Sequence, residues 1–433
     1  MVVRRLAPDW GQRMSFYRFL RNRRVTVDGL LDAQGQTCGL DRAAGHVLVL
    51  TDTTTVDLTA HRGRLDPTTV GPVGDGRGLG LLAHVALCLA ADVVPEAAVL
   101  GIGSLRCWAR PATGTRFTRH YKQQPVAAKE SHKWVRAAQD SRRRLPAASR
   151  LTLVGDREAD NYATLAQWQA LGVDFLVRCR QDRRVQPAGT LFARLAATPV
   201  QARLRRPVAA TRPTAGAPTR QATLQVRYAP YTVRRPVTAP GQPAQLACWA
   251  VYVGEDDPPP GETPVCWRLL TSHPVQDAAQ AQQVAGWYAQ RWWVEQLFRV
   301  LKQQGLGLED TQLTDGRAVA RLLALALPAA VQVLQLARAR HNLAPAPASV
   351  LPPAARPLAH RWVAQLQARA AQQSNGYPPD SLAWVAWLFA RLGGWAGLPS
   401  ERPPGVITLL RGAMRFQQFF EDSAVLDTLV YTP

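Results

Sequence analysis

The stretch His46–Leu58, HVLVLTDTTTVDL, opens on four consecutive apolar residues, Val47 to Leu50, and sets an acid, Asp52, just beyond them. An apolar run without alternation reads as a strand buried on both faces, which requires layers above and below it. The pattern returns in RLTLVGD, where a second apolar strand ends in Asp156. Between the two lie LLAHVALCLAA and AAVLGIGSLRCWA, separated by turn signals around Asp92 to Pro95. Such short connections favour an antiparallel meander. After the polar KESHKW segment, Val135 to Arg144 reads as a helix; a helix from Tyr162 to Leu171 and the strand DFLVRCR then follow RLTLVGD. A strand–helix–strand unit makes its two strands parallel, so the expected class is α/β, a mixed sheet flanked by helices.

Beyond Gln186 the texture changes. Pro, Thr and Arg become frequent, helical periodicity vanishes, and short strands such as TLQVRY and ACWAVYV appear, closed by CWRLLT. The expected organisation is a short basic helical segment over 1–45, the first part of the core over 46–185, a β-rich insertion over 186–270, the second part of the core over 271–345, and a helical C-terminal part over 346–433. The basic segment includes FYRFLRNRRV, whose arginines suit phosphates or plain solvation. A Pro/Ala-rich linker, Pro345 to Pro357, precedes the last part.

The second part of the core opens with one long helix, started by Pro274 and Asp277 and stopped by Gly305. Its second half is WYAQRWWVEQLFRVLKQQG, Trp287–Gly305. At 100° per residue Trp287, Val294, Leu297 and Leu301 share one face, whereas Tyr288, Arg291, Glu295 and Lys302 share a stripe roughly 60° wide. An ordinary solvated i,i+4 pair explains Arg291 and Glu295 alone. The cation inventory bears on Lys302: the only lysines are at 122, 129, 133 and 302, so the other 48 of the 52 cations are Arg. In such a chain a Lys closing the row suggests a site for a compact ammonium.

A formal net charge of +21 and a pI near 10.8 point to a polyanionic partner, nucleic acid before an anionic membrane surface. The six cysteines, at 38, 88, 107, 179, 248 and 266, show neither CxxC pairing nor histidines at ligand spacing, which excludes a zinc ribbon and a disulfide framework. The longest apolar run, Leu322 to Val331, is too short to span a bilayer and holds Pro328. No signal-peptide pattern opens the chain. A cytoplasmic protein acting on double-stranded DNA, without membrane association, is expected.

Open α/β sheets place chemistry at strand ends. If Glu295 leans over the ends that carry Asp52 and Asp156, three carboxylates converge and require protons or hard divalent cations between them. A pair of Mg²⁺ ions would relieve the repulsion and activate both the attacking and the leaving oxygen of a phosphodiester. Each acid also has a local reading: Asp52 as a strand-ending turn, Asp156 as the N-cap of the following helix. Asp57, Glu158 and Asp160 lie close enough to compete.

DTT at Asp52, GDREADNY at Asp156 and the spacing Y-x2-R-x3-E-x6-K at Tyr288, Arg291, Glu295 and Lys302 resemble the DDE transposases of bacterial insertion sequences, in the branch marked by that YREK signature. The likeness extends to YRFLRN near the start, to KESHKW, to GETPVCWRLLTSHPV and to ARLGG near the end. The resemblance implies a ribonuclease-H-like core and cut-and-paste transposition through a DNA hairpin. It implies Asp52, Asp156 and Glu295 as ligands of two Mg²⁺ ions, with Mn²⁺ as a substitute. Tyr288, Arg291 and Lys302 would hold phosphates beside the scissile bond, Trp267 would stack a flipped base, and Arg178, Arg180 and Lys133 join the candidate DNA contacts. A homodimer is implied in the DNA complex, and the face Leu409, Ala413, Phe416 and Phe420 is the expected contact. One departure stands out: only 51 residues precede Asp52, where relatives carry a helical DNA-recognition domain. This favours one rival, a non-catalytic DNA-binding or inhibitory relative; a nuclease without strand transfer is the second.

Overall fold

The computed structural model describes residues 9–92, 98–111, 129–186, 188–214, 217–302, 304–368, 374–398 and 401–430. Most of the turn expected at Asp92–Pro95 lies outside them. The helices are α1 (Trp10–Arg21), α2 (Val27–Cys38), α3 (His132–Arg144), α4 (Tyr162–Ala170), α5 (Leu191–Ala197), α6 (Ala278–Ala289), α7 (Trp292–Leu301), α8 (Gly316–Arg338), α9 (Arg356–Ala368), α10 (Leu382–Leu392) and α11 (Val406–Val430). The strands are β1 (Gly45–Asp57), β2 (Gly71–Val73), β3 (Gly78–Ala90), β4 (Val99–Trp108), β5 (Ala148–Gly155), β6 (Asp174–Arg178), β7 (Val185–Gln186), β8 (Ala202–Thr214), β9 (Ala217–Arg234), β10 (Gln245–Glu255) and β11 (Cys266–Thr271).

Alternation along β1 sets the layers. Val47 and Val49 point into one core and Leu48 and Leu50 into the other, all four fully buried. The first core is closed by α3, α4 and α5, the second by α1, α2 and α6 to α11. Within the sheet β4, β3 and β1 form the expected antiparallel meander, while β5 and then β6 join β1 in parallel. The order in this part of the sheet is β4-β3-β1-β5-β6, a mixed sheet as expected.

The β-rich insertion does not stand apart from this sheet. Strand β11 pairs antiparallel with β6, Leu269 opposite Arg178, and β10 and β9 follow, so one sheet of 11 strands runs through core and insertion. Two further expectations are corrected. Strand β1 does not end at Asp52; it continues to Asp57 because β3 still pairs with it there. The face Leu409, Ala413 and Phe416 is not left for a second copy: Leu409 and Phe416 are buried in the same core as α7, α8 and α10, and Ala413 and Phe420 pack on it in part.

Helix α8 runs through Pro328 and is long and apolar enough to cross a bilayer, yet 72% of its most apolar window is buried inside the fold. Leu322, Leu323, Leu327 and Leu334 sit at 0–2% exposure. Each such side chain contributes roughly 1.5–3 kcal/mol by burial, which holds α8 as the central post of the second core.

Candidate active site

The parallel register of β1 and β5 brings the first two acids together. Leu50 lies opposite Val154, the last pair before β5 ends at Gly155. Continuing that register by two residues sets Asp52 beside Asp156. Both share parity with Leu48, Leu50 and Val154, so both carboxylates leave the sheet on the face covered by α6, α7 and α8. Gly155 permits the turn that follows: a Cβ there would come within 2.5 Å of the Ala159 Cβ.

The string GDREADNY divides its acids among separate tasks. Asp156 accepts from the Glu158 N–H at 2.8 Å and remains half-exposed, while the N-cap of α4 is Asn161, whose side chain accepts from Ala163. Glu158 pairs with the Lys133 ammonium at 2.9 Å. Asp160 is fully buried against Arg183 at 2.6 Å and accepts the backbone N–H groups of Arg180 and Gln181. Asp57 caps its own turn at Thr59. Among these neighbours, Asp156 alone turns to the face of Asp52.

The long helix expected from its Asp277 start to its Gly305 stop is in fact two. Helix α6 starts at its Asp277 cap, as expected, but Gln290 and Arg291 interrupt the ladder, with Arg291 N bonding Tyr288 O and Val294 N bonding Arg291 O, three residues apart. Gln290 is tied to α8 through the Arg338 guanidinium, 2.9 Å away. The chain then turns into α7, which presents Glu295 in its first turn. After α7, Gly305 passes so close to Val300 O that a Cβ would lie 1.8 Å from it.

At this break the Arg291 guanidinium bridges two of the acids. One Nη donates to Asp52 Oδ2 at 3.1 Å and the other to Glu295 Oε1 at 2.5 Å. The side chains of Arg291 and Asp52 are each 19% exposed and that of Glu295 32%. Burial pushes the Asp52 carboxyl up to about 6; the Thr53 N–H and Arg291 oppose this, and the charges of Asp156 and Glu295 add to it. Burial works against the charged Arg291, but Tyr288, Glu295 and Asp52 outweigh it and hold its proton more firmly. The buried Tyr288 phenol is raised by desolvation and touches the same guanidinium.

The remaining sequence candidates separate into groups. Arg178, at the end of β6, shares the parity of Leu176 and hence the face of Asp52; its guanidinium donates to Cys266 O at 2.8 Å. Trp267, on β11 opposite Val253, packs edge-on against Tyr288 with ring centroids 5.2 Å apart. Lys302 has left the helix and reaches Glu309 at 3.7 Å, whose carboxylate also accepts the Asp57 N–H. The row therefore follows β1 from Asp52 toward Asp57. Arg180 is exposed on the loop pinned by Asp160. Lys133 is a correction: it is 4% exposed, lies behind the sheet among Trp108, Trp134 and Glu158, and stands outside the cluster. His84, missed in the sequence, lies on that rear side and bonds Thr53 at 2.9 Å directly behind Asp52; its place within an unbroken apolar strand was the available signal.

Among the described residues no three His, Cys, Asp or Glu side chains stand close enough to cage a metal ion. The donor set still fits one chemically. Three carboxylates, one with its charge disfavoured by the other two, supply hard oxygens for a divalent cation, and a cationic group already lies between two of them.

Fold and site together place Asp52 within β1, Asp156 just past the end of its parallel neighbour β5, and Glu295 in the first turn of α7. Residues 120–331 match the family model described as "Transposase DDE domain". DDE transposases use divalent metal ions. The match covers Asp156 and Glu295; Asp52 lies ahead of it and joins the site through the β1–β5 register. Among solved structures, the chain is similar to a piggyBac transposase in a synaptic complex with hairpin DNA, at 9% identity and a TM-score of 0.34, over 87% of this chain. It spans 56% of the length of that transposase.

Proposed function

We propose that this chain is a DNA transposase of the YREK branch that cuts and rejoins phosphodiesters at the ends of an insertion sequence. The observation that supports it most is the meeting of Asp52 on β1, Asp156 just past β5 and the α7 helix bearing Glu295, with Arg291 bridging Asp52 and Glu295. Asp52, Asp156 and Glu295 would hold two Mg²⁺ ions, or Mn²⁺, which when bound polarise the phosphodiester and ease loss of the proton from the attacking oxygen. Tyr288 and Arg291 orient the phosphate at the site, Lys302 grips the strand farther along β1, and Arg178 lines the approach from β6. Water nicks one strand at each transposon end. The freed 3′-OH attacks the opposite strand to give a hairpin, the hairpin is reopened, and the 3′-OH joins target DNA. Two ends require two active sites, so the DNA-bound form is a homodimer with a contact other than the Leu409–Phe416 face.

The test is the set Asp52→Asn, Asp156→Asn and Glu295→Gln. Each is expected to abolish Mg²⁺-dependent nicking of DNA that carries the inverted repeats flanking the gene, with duplex binding retained. Near wild-type nicking by any one of them would remove that residue from the ligand set. Nicking without strand joining in the wild type would favour the nuclease rival.

A further inference from the structure

We infer that Arg291 is an exchangeable counter-ion: in the free chain its guanidinium occupies the charge position between Asp52 and Glu295, and metal entry requires it to leave for a DNA phosphate. The inference rests on the proposed ligand roles of Asp52 and Glu295 and adds an order of events to them. Three features support it.

The first is geometry. The two Nη groups reach different acids, 3.1 Å to Asp52 and 2.5 Å to Glu295, so the fork spans the gap that a shared cation would fill. A planar fork makes two such bonds at once, which an ammonium does not. The second is charge. Like carboxylates gathered at one site repel, and a fixed cation between Asp52 and Glu295 lets the free chain fold with the acids already gathered. The third is position. Arg291 sits at the break between α6 and α7, where backbone bonds three residues apart replace the α-helical ladder. A residue at an element end absorbs a change of backbone or rotamer more readily than one inside a helix. Its neighbours, Tyr288 on one side and the half-exposed Glu295 on the other, leave solvent access at 19% of its side chain.

The consequence is linkage. If Arg291 must give up two carboxylates before metal enters, a partner that holds the displaced guanidinium favours metal binding, and metal in turn favours that partner. A phosphodiester strand laid across the site is such a partner. Free protein then binds metal weakly and avoids nicking stray DNA, and tight metal binding follows correct seating of a strand.

The experiment measures Mn²⁺ binding to the full chain without DNA, by loss of the free-ion electron paramagnetic resonance signal. Arg291→Gln is expected to bind Mn²⁺ roughly tenfold more tightly than wild type, within the usual range of coupling between two sites. Arg291→Lys keeps the charge but bonds only one acid at a time, and is expected to fall between wild type and Arg291→Gln. It also supplies the comparison should the Gln variant fold poorly, as judged by circular dichroism: an Arg291→Lys protein binding Mn²⁺ no more tightly than wild type would overturn the exchange. An unchanged or weakened affinity in folded Arg291→Gln would overturn it too. Asp52→Asn separates the two levels of argument. If Asp52→Asn loses Mn²⁺ binding while Arg291→Gln matches wild type, the ligand assignment stands and the exchange fails; if Asp52→Asn binds as wild type does, the ligand assignment itself fails.

Discussion

Two aspartates four residues apart in GDREADNY carry opposite burdens, and stability measurements should tell them apart. Asp160 is fully buried with Arg183 and satisfies two backbone N–H groups, so Asp160→Ala strands a buried guanidinium. Breaking one side of such a pair costs about 3–5 kcal/mol. Asp156 is half-exposed and makes one turn bond, beside acids that repel it, so Asp156→Ala is expected to cost no more than about 1 kcal/mol. Urea denaturation of both variants checks the order, and a larger loss in Asp156→Ala would show that its role is structural. Nicking should behave in the reverse sense, absent in Asp156→Ala. The sequence alone could not make this division. Acid identity and spacing were legible at 156, 158 and 160, whereas their partners Lys133 and Arg183 sit on other elements.

At the scale of elements, α6 is fixed by a group that titrates. His46 and His273 each lie 2.7 Å from the Thr152 hydroxyl, and both rings pack against Trp287 at the end of the helix. One hydroxyl can donate to one imidazole and accept from the other, an arrangement that needs at least one neutral, accepting ring. Burial is the first cause that lowers both histidines to about 4. Unfolded histidine takes up its proton near 6.5, so the folded state keeps its full advantage above that pH and loses it as pH falls toward 4. For His273 alone, 3% exposed, the loss amounts to roughly 3 kcal/mol. Chemical denaturation at steps from pH 7 to pH 4.5 should show it, and His273→Gln should flatten the profile; a flat wild-type profile would contradict the burial argument. The start of α6 at Asp277 and the stop near Gly305 were readable from caps and glycine. The break at Gln290 was not, because neither Pro nor Gly marks it, and Gln290 is held by Arg338, 48 residues away.

At the scale of the whole molecule, the continuous sheet fixes how far apart the parts of the site stand. The strand pattern made the meander and the parallel β5–β6 unit legible, since those connections are local, whereas the parallel pairing of β1 with β5 joins Leu50 to Val154 across β2, β3, β4 and α3. Attachment of the insertion through β11 to β6 was not legible, because that pairing joins residues about ninety positions apart through side chains with no distinguishing pattern. Its effect is mechanical. Trp267 on β11 stands two strands beyond β5 and three beyond β1, about 10–14 Å sideways at the usual strand spacing. That is too far to touch a phosphate held at Asp52 and Asp156, and near enough for a base swung out from a neighbouring nucleotide. Tyr288, edge-on at 5.2 Å, supports one side of the indole. Trp267→Ala is therefore expected to leave the first nick nearly unchanged and to slow hairpin closure roughly tenfold or more, the size of one lost base-stacking contact. On denaturing gels of end-labelled DNA, nicked strands should accumulate ahead of hairpins. Hairpins formed by Trp267→Ala at the wild-type rate would mean that strand closure proceeds without this platform, and that the indole serves only to pack the insertion against Tyr288.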